Sequence, residues 1–405
     1  MNTANLQTTD LDVDALRAHF PALRDGTAFF DGPGGSQTPD VVGAAIATTM
    51  TGPLSNRGIG NEAARNADRV VLDCRAALGD LMGVTADTVI FGRSMTALTF
   101  EMARTLAATW SPGDEIVLSR LDHDANVRPW TIAAETAGVT VRWVSFDPAT
   151  GELDDIAGAL SPRTKLVAVT AASNVIGTMP DIAAIAERAH AVGALLYVDG
   201  VHYAAHGFID VAAMGADFFA CSPYKFFGPH CAALTGRADL LESLTPAKLL
   251  PSADRVPEKY ELGTLPYELM AGTTAAIDFI AGIAPGEGDR RSRLRQSLQV
   301  TGQHEDRLRD KTEAGLLALP GVAIHSRAAR RTPTLLVTFE GRDCAAISEH
   351  LAARGVNAPA GSFYAYEAAE VLGLGSAGGL RIGIAPYTTD DDIDRLVDGI
   401  ADYLK

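Results

Sequence analysis

The sequence predicts an α/β protein: a larger part built on a mostly parallel sheet wrapped in helices, followed by a smaller α+β part. Three observations predict it. From about residue 60, short apolar β-rich runs alternate with helical stretches, the pattern of a parallel sheet covered on both faces. After residue 265 that alternation gives way to two long helical stretches, roughly 267–284 and 288–318. The chain has 405 residues, enough for about two domains and for a core able to enclose a ligand.

The elements follow in order. NEAARNADRVVLDCRAALGDLMG has helical apolar spacing and stops at a glycine, and DTVIFG reads as a strand. A helical TALTFEMARTLAATW precedes the strand DEIVLSR, and a helical ANVRPWTIAAETAG precedes VTVRWVSF and TKLVAVTAAS. DIAAIAERAHAVG is helical, and ALLYVDG, ADFFACSPY and CAALTG are apolar strand candidates. Beyond the two long helices come TPTLLVTFEG, a helical AAISEHLAARG, GLRIGIAPY and a closing helix DDIDRLVDGIADYLK. No internal repeat is evident.

Composition narrows the function. With 50 acidic against 34 basic residues the formal net charge is -16, and no long Lys/Arg run offsets it, so nucleic acid and anionic membrane are not expected partners. The four cysteines are scattered without a CxxC pair, which suits a reducing compartment. The first residues have neither a basic start nor an apolar signal core, and no run approaches the length of a membrane span. A soluble, cytoplasmic protein is the expectation.

In open α/β sheets ligands sit beyond the carboxyl ends of the strands, so residues just after strand candidates carry the chemistry. Lys225 closes ADFFACSPYK. A lysine there ordinarily carries its ammonium into water, but this apolar setting would strip its hydration and free the amine as a nucleophile. Ser94 and Thr96 in FGRSMTALTF lie between strand and helix, where backbone amides favour an anion such as phosphate; both are also ordinary capping residues. Asp199 in YVDGVHYAAH follows a strand, with His202 close behind; a carboxylate there could keep a ring nitrogen protonated, or simply start a turn. LDHDANVRPW offers His123 and Asn126, and TAASNVIGT offers Ser173 and Asn174; a histidine can stack on an aromatic ligand or move protons. Taken together with Lys225, these residues suit an aromatic aldehyde bearing a phosphate, a ring nitrogen and a phenolic oxygen, which describes pyridoxal 5'-phosphate.

The order and spacing of RSMT, DHDAN, SNVIGT, VDGVH and SPYK resemble the class V aminotransferase group of fold-type I pyridoxal-phosphate enzymes, nearest the cysteine desulfurase and selenocysteine lyase branch. The resemblance runs from FFDGPGGSQTP to RIGIAPY, nearly the whole chain. It implies a seven-stranded, mostly parallel sheet in a large cofactor-binding domain over residues 26–280. It also implies a small C-terminal domain over 281–405 and an N-terminal segment, 1–25, that packs with it. Lys225 would form the internal aldimine and move the α-proton, Asp199 would pair with the pyridine nitrogen and His123 would stack on the ring. Asn174 and His202 would sit near the phenolic oxygen. Ser222, Ser94, Met95 (through its amide) and Thr96 would hold the phosphate, and Thr264 would reach across a homodimer to the partner's phosphate site. Arg381, aided by Arg57, would take the carboxylate of a small amino-acid substrate, a task suited to the guanidinium fork.

The sequence also departs from that group. The stretch VNAPAGSFYAYEAAEVLGLGSAGGLRIG lacks the mobile-loop cysteine that accepts sulfur in desulfurases, Tyr224 replaces the histidine before the lysine, His202 stands where a glutamine is usual, and Gly60 stands where some carry a histidine. GLGSAG leads into a strand rather than opening a helix, and HYAAH lacks the glutamate of a zinc protease, so neither a dinucleotide nor a metal is expected. The expected activity is C–S bond cleavage on a cysteine-like substrate through an external aldimine and α-carbanion. Epimerisation or transamination is the alternative, and a non-catalytic cofactor carrier is a third reading that a carboxylate-binding arginine argues against.

Overall fold

The computed structural model describes residues 11–405; the first part of the 1–25 segment lies outside them. The apolar runs form a seven-stranded sheet: β1 (Val89–Gly92), β2 (Glu115–Ser119), β3 (Thr140–Val144), β4 (Thr164–Thr170), β5 (Leu195–Asp199), β6 (Phe218–Cys221) and β7 (Ala232–Gly236). Their spatial order is β1-β7-β6-β5-β4-β2-β3. All run parallel except β7, which is antiparallel to both its neighbours, so the sheet is mostly parallel as predicted.

Alternation along the strands splits the interior into two cores. Val167, Val169, Leu196 and Val198 face one way, while Leu166, Ala168 and Tyr197 face the other. Helices Glu62–Met82, Ile182–Ala191 and Tyr267–Ala281 cover the first face, and Met95–Ala107 with Arg128–Ala137 cover the second. The helix Glu62–Met82 begins where the Asn61 side chain accepts from the Ala64 amide and ends at Gly83, whose φ of 73° suits a residue without Cβ. Each fully buried large side chain, such as Trp130 on the second face, contributes roughly 1.5–3 kcal/mol by leaving water.

A four-stranded antiparallel sheet of Val322–Ile324, Thr334–Phe339, Ala360–Gly361 and Gly379–Gly383 forms the C-terminal part, with its own core. The early chain returns to it. Ala28–Phe29 pairs in parallel with Val356–Asn357, Arg17 bonds both the Tyr387 carbonyl and the Asp392 carboxylate, and Asp31 bridges to Gly383. The long helix Arg290–Leu317 packs against both parts, against Glu62–Met82 and against the closing helix Asp390–Leu404. The carboxyl ends of the parallel strands therefore open toward Arg381 of the smaller sheet and toward Phe363 in the segment after its strand Ala360–Gly361.

Candidate active site

Ser94, Met95, Thr96, His123, Asn174, Asp199, His202, Ser222 and Lys225, read from five separate motifs, line one cleft at that carboxyl edge. Ser94 caps the helix Met95–Ala107, its hydroxyl accepting from the Ala97 amide at 3.1 Å, and that helix aims its N-terminus at the cleft. Partial positive charge gathers there, which favours an anion.

Burial sets the charges of the reactive groups. Lys225 is pushed down to about 7, first by loss of hydration and next by the positive charge of Arg381, while Asp31 and Asp199 partly restore it. A substantial fraction of its amine is therefore neutral at physiological pH. Asp199 is buried and pushed up to about 6, with the Val201 amide, 2.9 Å from Oδ1, working against the shift. Burial and the Lys225 charge bring His123 down to about 4, and burial takes His202 well below the usual histidine range, so both rings are neutral.

The smaller sheet closes the cleft from the other side. Nε2 of His202 lies 3.0 Å from the hydroxyls of both Thr332 and Thr334, which leaves Nδ1 buried without a partner. Arg381 is buried at the mouth, with Nη2 donating to Asp31 at 2.6 Å, Nη1 donating to the Asn174 carbonyl at 3.3 Å, and the guanidinium 3.8 Å over the Phe363 ring. Phe363 and Tyr364 both adopt left-handed backbone, at φ of 55° and 57°, a strained pair for side chains of this size. Their carbonyls hold it: the Asn174 side-chain amide donates to Phe363 at 2.9 Å and the Asp124 amide to Tyr364 at 2.7 Å, while the Tyr364 ring stacks on His123 at 5.6 Å.

Other sequence-predicted residues stand elsewhere. Arg57 pairs with Asp68 and Glu258, and Thr264 is exposed; neither lines the cleft. Asn126 is buried below His123, bonded to Asp122 and to the Trp130 indole. Of HYAAH, His202 lines the cleft and His206 instead pairs with Glu305. Sequence reasoning missed Asp31, Asp122 and the turn at Pro33, whose carbonyl accepts from Lys225 Nζ. Asp122 is a buried acid held well above the carboxylate range, by burial first and also by the nearby charge of Asp199. Asp122 opens the DHDAN motif that pointed to His123 and Asn126, and Asp31 sits inside FFDGPGG, where its glycine-rich turn was the one available sign.

The aminotransferase class-V family model matches residues 28–396. The chain belongs to the class V aminotransferase family. Its relatives include the uncharacterized protein MT3887 of Mycobacterium tuberculosis, 30% identical over 96% of this chain and 98% of the relative. The aminotransferase-like protein FGM3 of Gibberella zeae is also 30% identical, over 97% of this chain and 98% of its own length. Among solved structures, the cysteine desulfurase CsdA of Escherichia coli, in its S-sulfonic acid form, superposes with a TM-score of 0.86 at 26% identity, covering 98% of this chain and 99% of that one.

Class V enzymes depend on pyridoxal phosphate, and that is the cofactor of this enzyme. The cleft fits it on its own terms. Two buried polar atoms without partners among the described residues, His202 Nδ1 and Asn174 Oδ1, belong to cleft-lining residues and await a polar ligand. A helix N-terminus, a carboxylic acid and a partly neutral lysine amine converge on the same space.

Proposed function

We propose that this class V enzyme cleaves the C–S bond of a cysteine-like amino acid. The observation that carries the reading is the convergence of Lys225, Asp199 and Arg381 on one cleft in a chain similar to cysteine desulfurases. Ser94, Met95, Thr96 and Ser222 would hold the cofactor's phosphate, Asp199 its ring nitrogen, His123 its ring face, and Asn174 and His202 its phenolic oxygen. Bound there, the cofactor supplies an electron sink for the substrate α-carbon. Lys225 would be the residue that anchors it, and its amine, already inclined to neutrality, would take the substrate α-proton. Arg381 receives the substrate carboxylate, and Phe363 and Tyr364 form the apolar side of the entrance.

All four cysteines are buried, and none lines the cleft or its mouth among the described residues. With no thiol of this chain in reach, sulfur leaving as sulfide is balanced by β-elimination to pyruvate and ammonia, whereas desulfuration to alanine requires an added thiol to take the sulfane sulfur. The same absence favours a second reading, in which the α-carbon is merely reprotonated and the enzyme is an epimerase or aminotransferase. The chain is further read as a cytoplasmic homodimer divided near residue 280. Thr264, exposed beside the exposed Leu262, would serve the partner's phosphate site. No helix among the described residues is long and apolar enough to cross a membrane.

The test is proton NMR of cofactor-loaded protein with L-cysteine in heavy water, with Lys225→Ala as control. Alanine, or pyruvate with sulfide, formed by wild type alone supports C–S cleavage, and the product separates desulfuration from elimination. Exchange of the α-proton without sulfur loss moves the assignment to epimerisation or transamination.

A further inference from the structure

We infer that Asp31 is a built-in competitor for Arg381, so that a substrate carboxylate binds by displacing the carboxylate of Asp31 from the guanidinium. The inference rests on the reading that Arg381 takes the substrate carboxylate.

The geometry is specific. Arg381 is buried, and among the described residues its one charged partner is Asp31, with Nη2 to Oδ1 at 2.6 Å. Asp31 itself is 37% exposed and can swing into water without being buried elsewhere. Its carboxylate lies folded over Gly34: a Cβ on that residue would come within 2.5 Å of both carboxylate oxygens. The glycine therefore leaves room for the acid to reach the arginine. The same turn supplies the Pro33 carbonyl that accepts from Lys225. One tight turn, closed by the Gly34 and Gly35 amides on the Asp31 carbonyl, thus engages both groups that an amino acid and its cofactor require.

A second carboxylate arriving at this guanidinium meets a like charge across a few ångströms in a site sheltered from water. Part of its affinity is then consumed in moving Asp31 away. Among the described residues Nε of Arg381 is buried without a partner, so the guanidinium has donors to spare but no charge to spare. The arrangement favours ligands whose carboxylate can occupy the Asp31 position and holds Arg381 in place, paired, between turnovers.

The experiment titrates the cofactor-loaded protein with L-alanine and with L-alaninamide, which lacks the carboxylate, and follows the absorbance of the bound cofactor. Asp31→Asn keeps an acceptor for Nη2 and removes the charge. The expected result is L-alanine binding about tenfold tighter than in wild type, with alaninamide unchanged. Gly34→Ala, which pushes the carboxylate off without altering its charge, shifts alanine in the same direction. An Asp31→Asn protein that binds alanine no tighter than wild type, or that gains equally for the amide, overturns the inference: Asp31 would then only orient Arg381. Arg381→Gln tests the underlying reading separately, since a wild-type preference for alanine over alaninamide that survives loss of the charge removes Arg381 from carboxylate binding altogether.

Discussion

The imidazole of His202 meets that of His206 edge-on, with ring centroids 5.0 Å apart, yet among the described residues the carboxylate of Glu305 bonds His206 alone of the two. Glu305 is buried, and burial raises its pKa against the pull of His206. Glu305→Ala should cost about 2–4 kcal/mol, because it strips a buried ring nitrogen of its partner and leaves a cavity. Glu305→Gln, of the same shape, should stay within about 1 kcal/mol. Urea unfolding measures both; an alanine variant as stable as wild type removes the pair from the list of structural contacts.

Lys225 should capture pyridoxal phosphate at a rate that follows its neutral fraction. For the cofactor-free protein, the uptake rate should rise through a midpoint near pH 7, where burial and Arg381 have brought the amine. Stopped-flow absorbance across pH 5.5–9.5 reads the profile. A midpoint near the ordinary lysine value would mean the amine is fully hydrated before the cofactor arrives.

The depressed lysine also costs the cofactor-free fold stability. Its folded value of about 7 lies below its unfolded value, so the cost is complete below about pH 7 and fades as pH rises toward the unfolded value. Lys225→Met, which fills the same space without the charge, should therefore stabilise the cofactor-free protein most at pH 6. Its advantage should shrink by about 1.4 kcal/mol per pH unit above 7. Denaturation at pH 6, 7.5 and 9 checks the trend, and a gain independent of pH would trace it to packing alone.

Gly200 follows Asp199 directly, and a Cβ there would come within 1.9 Å of the Phe219 ring. Gly200→Ala should cost more than about 3 kcal/mol or prevent folding, at the top of the range for overpacking. Adding Phe219→Leu should recover part of the loss, since the two side chains compete for one space. A double variant no better than the single would place the strain in the backbone.

Much of this molecule was legible because its chemistry is local. Apolar runs such as ALLYVDG and ADFFACSPY are strands because they are buried on both faces, and Asp199 and Lys225 stand at their ends because a parallel sheet aligns all those ends at one edge. The reversed direction of β7 left no trace in CAALTG, since a buried strand reads alike in either sense. The pair Asp31 and Arg381, which sets the mouth of the cleft, joins residues 350 apart, and no spacing rule reaches so far. Arg57, placed at the site by resemblance, pairs within this chain with Asp68 and Glu258.

The cleft is completed in the order in which the chain is made. Residues 94–225 bring together the capped helix, the buried acid and the lysine in one contiguous stretch, whereas Arg381 belongs to the next-to-last element of the protein. At ordinary rates of synthesis the arginine leaves the ribosome on the order of ten seconds after the lysine. During that interval Asp31 has already been made and has no arginine to hold, and Lys225 lacks the positive charge that Arg381 later brings beside it.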